Sequence, residues 1–359
     1  KYLPSGIARG TETVVLLQKN RIRLRMTARK NTLFIVFSFL VFALFVADLV
    51  SGPVKVSLAE IAGVLAGNGG DTVNARIIID IRLVKAIVAV IAGAALSVSG
   101  LQMQTLFQNP LAGPSVLGVT SGASLGAALF IIGLPVAGGI SPVLSSFGIA
   151  GAAWLGAAAV MAVIVAVSRR IKDIMVILIL GMMFSSGVSA IVQVLQYASS
   201  ESALKSFVIW TMGALGDVTY TQLALLAPVF LAGMVLAVAA VKPLNLLLLG
   251  ENYARTMGLN VKRSRTMIFL STTLLAGSVT AFCGPIGFIG LAVPHVARYI
   301  FSSSDHRVLV PATVLVGAAA MLVCDLISKT MNFPINTITS LLGIPIVIWV
   351  VVRNKNIFR

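Results

Sequence analysis

Ten apolar runs, most of them close to 20 residues long and nearly free of charge, dominate this chain. They lie at about 33–50, 83–106, 115–133, 143–167, 174–197, 222–241, 266–283, 287–301, 309–328 and 337–352. A helix needs about 20 apolar residues to cross the hydrocarbon of a bilayer, fewer where protein shields it. Inside lipid every backbone N–H and C=O must find its partner within the chain, so only helices and closed barrels span. Barrel strands alternate apolar and polar residues, whereas these runs are continuous. The pattern predicts an all-α, polytopic membrane protein with about ten transmembrane helices. Composition agrees, because 58% of the 359 residues are hydrophobic and only 11% are charged. A soluble core of this size has no use for so much apolar surface.

The net charge of +16 invites a nucleic-acid partner, but its distribution argues against one. With the N-terminus inside, the inner segments hold 21 of the 27 Lys and Arg. They are the first 30 residues, 169–172, 242–265, 298–307 and 353–359. The outer segments hold only Lys55, Arg76, Arg82, Lys85, Lys205 and Lys329. This is the positive-inside pattern, and an even number of spans then places both termini in the cytoplasm. Residues 1–32 read as a cytoplasmic tail, too long and too charged for a signal peptide, with Met26 as an alternative start. Residues 33–353 form the membrane domain, and 354–359 a second cytoplasmic tail. Small residues are dense in several spans: Gly93, Ser97 and Gly100; Gly122 and Gly126; Gly151, Ala152 and Gly156. Such faces let helices approach closely, and packing within the chain is the expected use.

Three stretches depart from plain spanning helix. Residues 246–262 form a polar, net positive segment on the basic side of the membrane. Gly250 and Gly258 bracket helix-favouring residues there, which predicts a short helix closed by a glycine. Such a helix offers a surface to a soluble partner. The next span is broken by Gly284-Pro285, Gly287 and Gly290 and resumes as a short helix through Pro294-His295 to Arg298. Residues 199–222 are too polar at their start to cross, and predict an interfacial or re-entrant helix anchored by Trp210.

Acidic residues within spans would suggest ion coupling, and they are scarce. Asp325 is the candidate, four residues before Lys329 and so able to pair with it on one helix face. No HExxH, Ser-His-Asp wording or phosphate-binding GKS or GKT occurs in the sequence, so no metal site, no catalytic residue and no ATPase activity is expected of this chain. Cys283 and Cys324 read as small buried hydrophobes.

The ordered motifs LGENYARTMGLNV, GPIGFIGLAVPHVAR and SSDHRVLVPATVLVGA resemble permease subunits of ABC importers for iron–siderophores, haem and vitamin B12, the FecCD/BtuC-like permeases. So do SGLQMQTLFQNPLAGPSVLGVTSGASLGAA and FPINTITSLLGIPIVIW. The resemblance covers roughly residues 33–353. It implies a homodimeric permease in the bacterial inner membrane that carries a metal chelate by ATP-driven alternating access. The partners it implies are two ATP-binding subunits, which hold the ATP and Mg, and a periplasmic or lipid-anchored binding protein. No cofactor is expected on this chain itself.

Residue by residue, the resemblance assigns ATPase coupling to Gly250, Glu251, Ala254, Arg255 and Gly258. It assigns binding-protein docking to Arg82, Lys85 and Lys329, and the gate or pathway to Ile174, Met175, Trp210, Met212 and Leu215. Asn109, Pro110, Gly287, Gly290, Pro294 and His295 match structural motif positions. There are departures. Arg82-Leu83-Val84-Lys85 stands where the family commonly has Arg-Leu-Pro-Arg, and Gly113 replaces an acidic residue. Asp173-Ile174-Met175 replaces small polar residues, which implies a bulky apolar gate. An ion-driven secondary transporter is the rival reading, and the scarcity of intramembrane acids weighs against it. An intramembrane enzyme using His295 and Asp325 lacks any paired catalytic spacing.

Overall fold

The computed structural model describes residues 5–68, 70, 72–133, 142–171 and 173–353. The C-terminal tail expected at 354–359 lies outside the described residues, as do the first four residues and Lys172 of the basic 169–172 loop.

Helix α1 (Ser5–Val50) joins most of the expected N-terminal tail to the first apolar run in one helix. The short helices α2 (Leu58–Leu65) and α3 (Val73–Arg76) follow, and α3 passes through a π-helical stretch at Ile77–Leu83 into α4 (Val84–Leu106). A single 3-10 turn at Pro114–Leu117 leads to α5 (Val119–Ile131), then α6 (Pro142–Ser168), α7 (Ile174–Tyr197) and the short α8 (Glu201–Thr211). Next come α9 (Tyr220–Ala239), α10 (Val241–Leu247) and α11 (Glu251–Thr256). Helix α12 (Val261–Thr272) continues through a π-helical Thr273–Gly277 into α13 (Ser278–Cys283). Helices α14 (Ile289–Phe301), α15 (His306–Met331) and α16 (Ile335–Arg353) complete the fold. No strand occurs among the described residues. Among the described residues, six helices are long and apolar enough to cross a membrane, and three shorter apolar ones accompany them. Helix α4 makes ten, the number expected from the apolar runs.

Three of these helices form the centre. Helix α4 is buried along nearly its whole length, and α15 and the α12–α13 rod pack on it. Helices α1, α6, α7 and α9 stand outside and turn apolar side chains such as Ile35, Leu155, Ile179 and Leu231 outward. That is the inside-out economy lipid permits, because outward apolar side chains meet a solvent as apolar as themselves.

The small-residue faces do what close packing requires. Gly93 of α4 opposes Gly317 of α15, and a Cβ on either would overlap the other's carbonyl. Gly122 and Gly126 of α5 likewise face Gly156 and Ala152 of α6. Gly151 departs from the expectation: it is exposed with nothing within 4 Å of a Cβ. Cys283 and Cys324 are free and buried, as small hydrophobes should be.

The break after α13 is sharper than a glycine kink. Gly284 takes φ 73° and the non-glycine Phe288 takes φ 63°. The Gly287 N–H, orphaned by the break, donates to Asn336 Oδ1 of α16 at 3.0 Å. A side chain from a neighbouring helix thus satisfies backbone that helical bonding has released, as membrane burial demands.

Candidate functional site

The polar loop after α9 forms the short helix expected of it, α11, between Gly250 (φ 95°) and Gly258 (φ 83°). Both glycines sit in the left-handed region that other residues avoid. The Gly258 N–H donates to Arg255 O and the Leu259 N–H to Ala254 O, each at 3.0 Å, closing the helix. Gly258→Val should therefore cost about 1–3 kcal/mol through backbone strain. A lower melting temperature of the detergent-solubilised chain checks this, and an unchanged one refutes it.

Glu251, the first residue of α11, binds two arginines. Arg255 Nη2 lies 2.5 Å from Oε1 and Arg265 Nη2 lies 2.5 Å from Oε2. Ala254 requires a correction. The resemblance assigns it to ATPase coupling, but it is fully buried in the core and offers no surface to a partner. A helix this short lies flat on the bundle, and its one small side chain is the one that fits inward. The exposed face includes Leu249, Asn252, Tyr253, Arg255, Thr256 and Met257.

Beside this helix stands the start of α7, where Asp173 Oδ1 accepts the Met175 N–H at 2.8 Å and caps the helix. Ile174 is half-buried and Met175 is exposed. A cleft of about 730 Å³ runs between the two elements, lined by Gln108, Asp173, Ile174, Glu251, Tyr253 and Arg255. The structure thus brings Ile174, one of the expected gate residues, and the expected coupling helix to one cleft.

The same end of the bundle is stitched by polar side chains. His295 Nε2 lies 2.8 Å from Pro110 O. A carbonyl only accepts, so Nε2 carries the proton. Asn109 Oδ1 accepts the Leu111 N–H and shapes the turn. Arg298 donates to Gln104 Oε1 at 2.8 Å, and Gln104 Nε2 donates to Leu291 O at 3.0 Å. Gly290 passes so close to α4 that a Cβ would lie 2.7 Å from Leu96 O. Pro294 lies inside α14. His306, fully buried, donates from its backbone N–H and from Nδ1 to Asn245 Oδ1, both at 2.8 Å, while Nε2 meets Thr105 Oγ1 at 2.8 Å. Asn245 Nδ2 donates to Asp305 at 2.7 Å. Burial pushes the Asp305 carboxyl up, but the Arg307 N–H, the Asn245 amide and nearby cations outweigh it and hold it below the usual carboxylate range. Sequence reading passed over Gln104, Gln108, Thr105, Asn245 and His306. The available signal was a polar residue in or beside an apolar span, which must find a partner.

At the other end, α8 forms as expected, with Trp210 half-buried and stacked on Phe207. Gly213 (φ 73°) turns the chain so that the Ala214 N–H donates to Cys283 O at 2.8 Å. Met212 is exposed, whereas Leu215 is buried in the core. The expected outer cations are placed differently from their docking assignment. Arg82 is buried, and its guanidinium donates to the carbonyls of Leu49, Val50 and Val54. Lys329 Nζ sits 2.7 Å from Asp48 Oδ2 and 3.1 Å from Asp325 Oδ2. Lys85 Nζ sits 3.0 Å from Asp325 Oδ1. The expected Asp325–Lys329 pair is present, extended into a cluster that joins α1, α4 and α15. Lys85 and Lys329 turn inward because two fully buried carboxylates need them, and Arg82 because three backbone carbonyls accept its donors.

The family model of the FecCD transport family matches residues 40–353. The chain belongs to this family. The hemin transport system permease protein HmuU of Yersinia pestis is 36% identical to it over 282 residues, 77% of this chain and 83% of that protein. The vitamin B12 import system permease protein BtuC of Klebsiella pneumoniae is 34% identical over 279 residues, 77% of this chain and 82% of that one. Among solved structures, a metal-chelate type ABC transporter in an inward-facing conformation superposes with a TM-score of 0.77 at 30% identity, covering 88% of this chain and 97% of that one. PsaBC from Streptococcus pneumoniae shares the fold, with a TM-score of 0.52 at 18% identity. As a FecCD-family protein, the chain is an all-helical, multi-pass ABC transporter permease, and the loop around α11 and the broken α13–α14 segment lie within the matched region.

Proposed function

We propose that this chain is the membrane-spanning subunit of an ABC importer that moves a metal chelate, an iron–siderophore or haem or a cobalamin, across the bacterial inner membrane. Two copies enclose the pathway, and both termini face the cytoplasm. Two separate ATP-binding subunits hold the ATP and Mg, so this chain hydrolyses nothing itself. The observation that carries the reading is the shared cleft between α11 and the start of α7. A soluble ATPase docked on the exposed face of α11 presses on an element that shares a cleft with Ile174 at the start of α7. ATP binding then closes the inner mouth and opens the other end. The names of the relatives support the substrate class, and the net positive loops support the orientation.

A binding protein is expected at the end opposite α11. There Arg82, Lys85 and Lys329 hold helix ends in place beneath the docking surface rather than offering free charge to the partner. An ion-driven transporter draws no support from the buried acids, since Asp48 and Asp325 are both engaged by lysine.

Tyr253, half exposed on α11, gives the test. Tyr253→Asp should leave the permease folded but abolish co-purification of the ATP-binding subunit, because a desolvated interfacial aromatic typically carries 2 kcal/mol or more, roughly thirtyfold in affinity. Hemin and ferric siderophore uptake into proteoliposomes should fall with it. Uptake that persists without nucleotide hydrolysis overturns the proposal.

A further inference from the structure

Arg265 belongs to no assigned motif position, yet its side chain is only 3% exposed and spans two elements. It rises from the second turn of α12. Nη2 meets Glu251 Oε2 of α11 at 2.5 Å, and Nη1 donates to the Ile171 carbonyl at 3.1 Å. Ile171 lies two residues before the Asp173 cap and three before Ile174. One guanidinium therefore holds the first residue of the exposed short helix and the backbone that enters α7.

We propose that Arg265 is the positioning residue that transmits displacement of α11 to the inner mouth. This inference rests on the ABC-importer reading above and deepens it. The physical reason is the shape of the group. A guanidinium is planar and rigid, with donors fixed in a fork, whereas an ammonium offers rotatable donors around a point charge. With one arm on a carboxylate and another on a carbonyl, a shift of Glu251 either drags Ile171 along or breaks a buried, charge-assisted bond. Breaking such a bond is costly because the freed charge has no water to receive it, so the two elements move together. Asp173 then carries the motion into α7, since its side chain ties the loop to the Met175 N–H. Glu251 also holds Arg255 on the exposed face. The contacts therefore link the surface of α11 to Ile171 on one side of the loop, and Asp173 to Met175 on the other.

Met175, exposed at the start of α7, reports the outcome. The full permease carrying Met175→Cys is assembled with its ATP-binding subunits in nanodiscs and treated with a membrane-impermeant maleimide. Cys283 and Cys324 are buried and stay silent. Labelling should fall by about tenfold when ATP and vanadate trap the complex, a ratio typical of two coupled sites. Arg265→Gln and Arg265→Lys should still bring down the ATP-binding subunits but lose most of that change. Arg265→Lys preserves the charge for Glu251 and guards against a variant that merely fails to fold. A full nucleotide response in both variants overturns the linkage while leaving the importer reading intact. A parent chain that shows no nucleotide response overturns the importer reading, and the linkage with it.

Discussion

Gly100→Val should leave little folded protein. Gly100 sits on α4 where α14 crosses it, and a Cβ there would lie 2.5 Å from the Gly290 carbonyl carbon and nearer still to its oxygen. The obstructing atoms are backbone, so no rotamer change relieves the clash and α4 must move away from α14. That movement is resisted locally, because Gln104 of α4 donates to Leu291 O and accepts from Arg298. Overpacking a core costs about 1–3 kcal/mol where side chains can adjust, and more where they cannot. A loss at or above the top of that range is a large part of a typical total stability of about 5–15 kcal/mol. Monodisperse yield after detergent extraction measures it. Gly151→Val is the control, since Gly151 has nothing within 4 Å of a Cβ and should behave as the parent. Equal yields from the two variants would contradict the assigned helix crossing.

Lys329→Met should destabilise the chain by about 3–5 kcal/mol, the usual effect of removing one partner from a buried ionic group. Lys329 Nζ reaches Asp48 Oδ2, Asp325 Oδ2 and the Asp48 carbonyl at 3.1 Å. Asp48 and Asp325 are 0% and 1% exposed. Without the ammonium, Asp325 retains Lys85 but Asp48 loses its cation. Adding Asp48→Asn should then restore part of the loss, because an amide carries no charge to neutralise. A double-mutant cycle on residues 48 and 329, read from melting of the purified protein, measures the coupling. A Lys329→Met effect below about 1 kcal/mol would place the pair in the class of exposed surface bridges and refute its burial.

Much of this molecule could be read directly. The spans, the short helix between Gly250 and Gly258, the break after Cys283 and the Asp325–Lys329 pair all follow from spacing along the chain. Each is a local property: an apolar run, a glycine at a required φ, or two residues one helical turn apart. The misplaced residues share a different cause. Ala254 and Leu215 lie in segments whose wording marks them as functional, but wording does not say which face of a short helix or turn points inward. The charge distribution places Arg82, Lys85 and Lys329 on the outer side, and the family resemblance assigns them to docking. The two lysines take their orientation from carboxylates contributed by α1 and α15, and Arg82 takes its own from the carbonyls of Leu49, Val50 and Val54.

The sequence by itself determined the solvent, the number of crossings and the family. Lipid compels continuous apolar runs, and the ordered glycine, proline and charged motifs of the loops resemble those of the FecCD permeases, whose family model matches residues 40–353. Only the tertiary structure decided the partnerships. Arg265 with Ile171, His306 with Asn245 and Thr105, and Lys329 with Asp48 each join residues separated by long stretches of chain. In a bilayer a polar group within a span must be satisfied by whatever helix packs against it. Helix packing, set by glycine faces such as Gly93 against Gly317, chooses that neighbour.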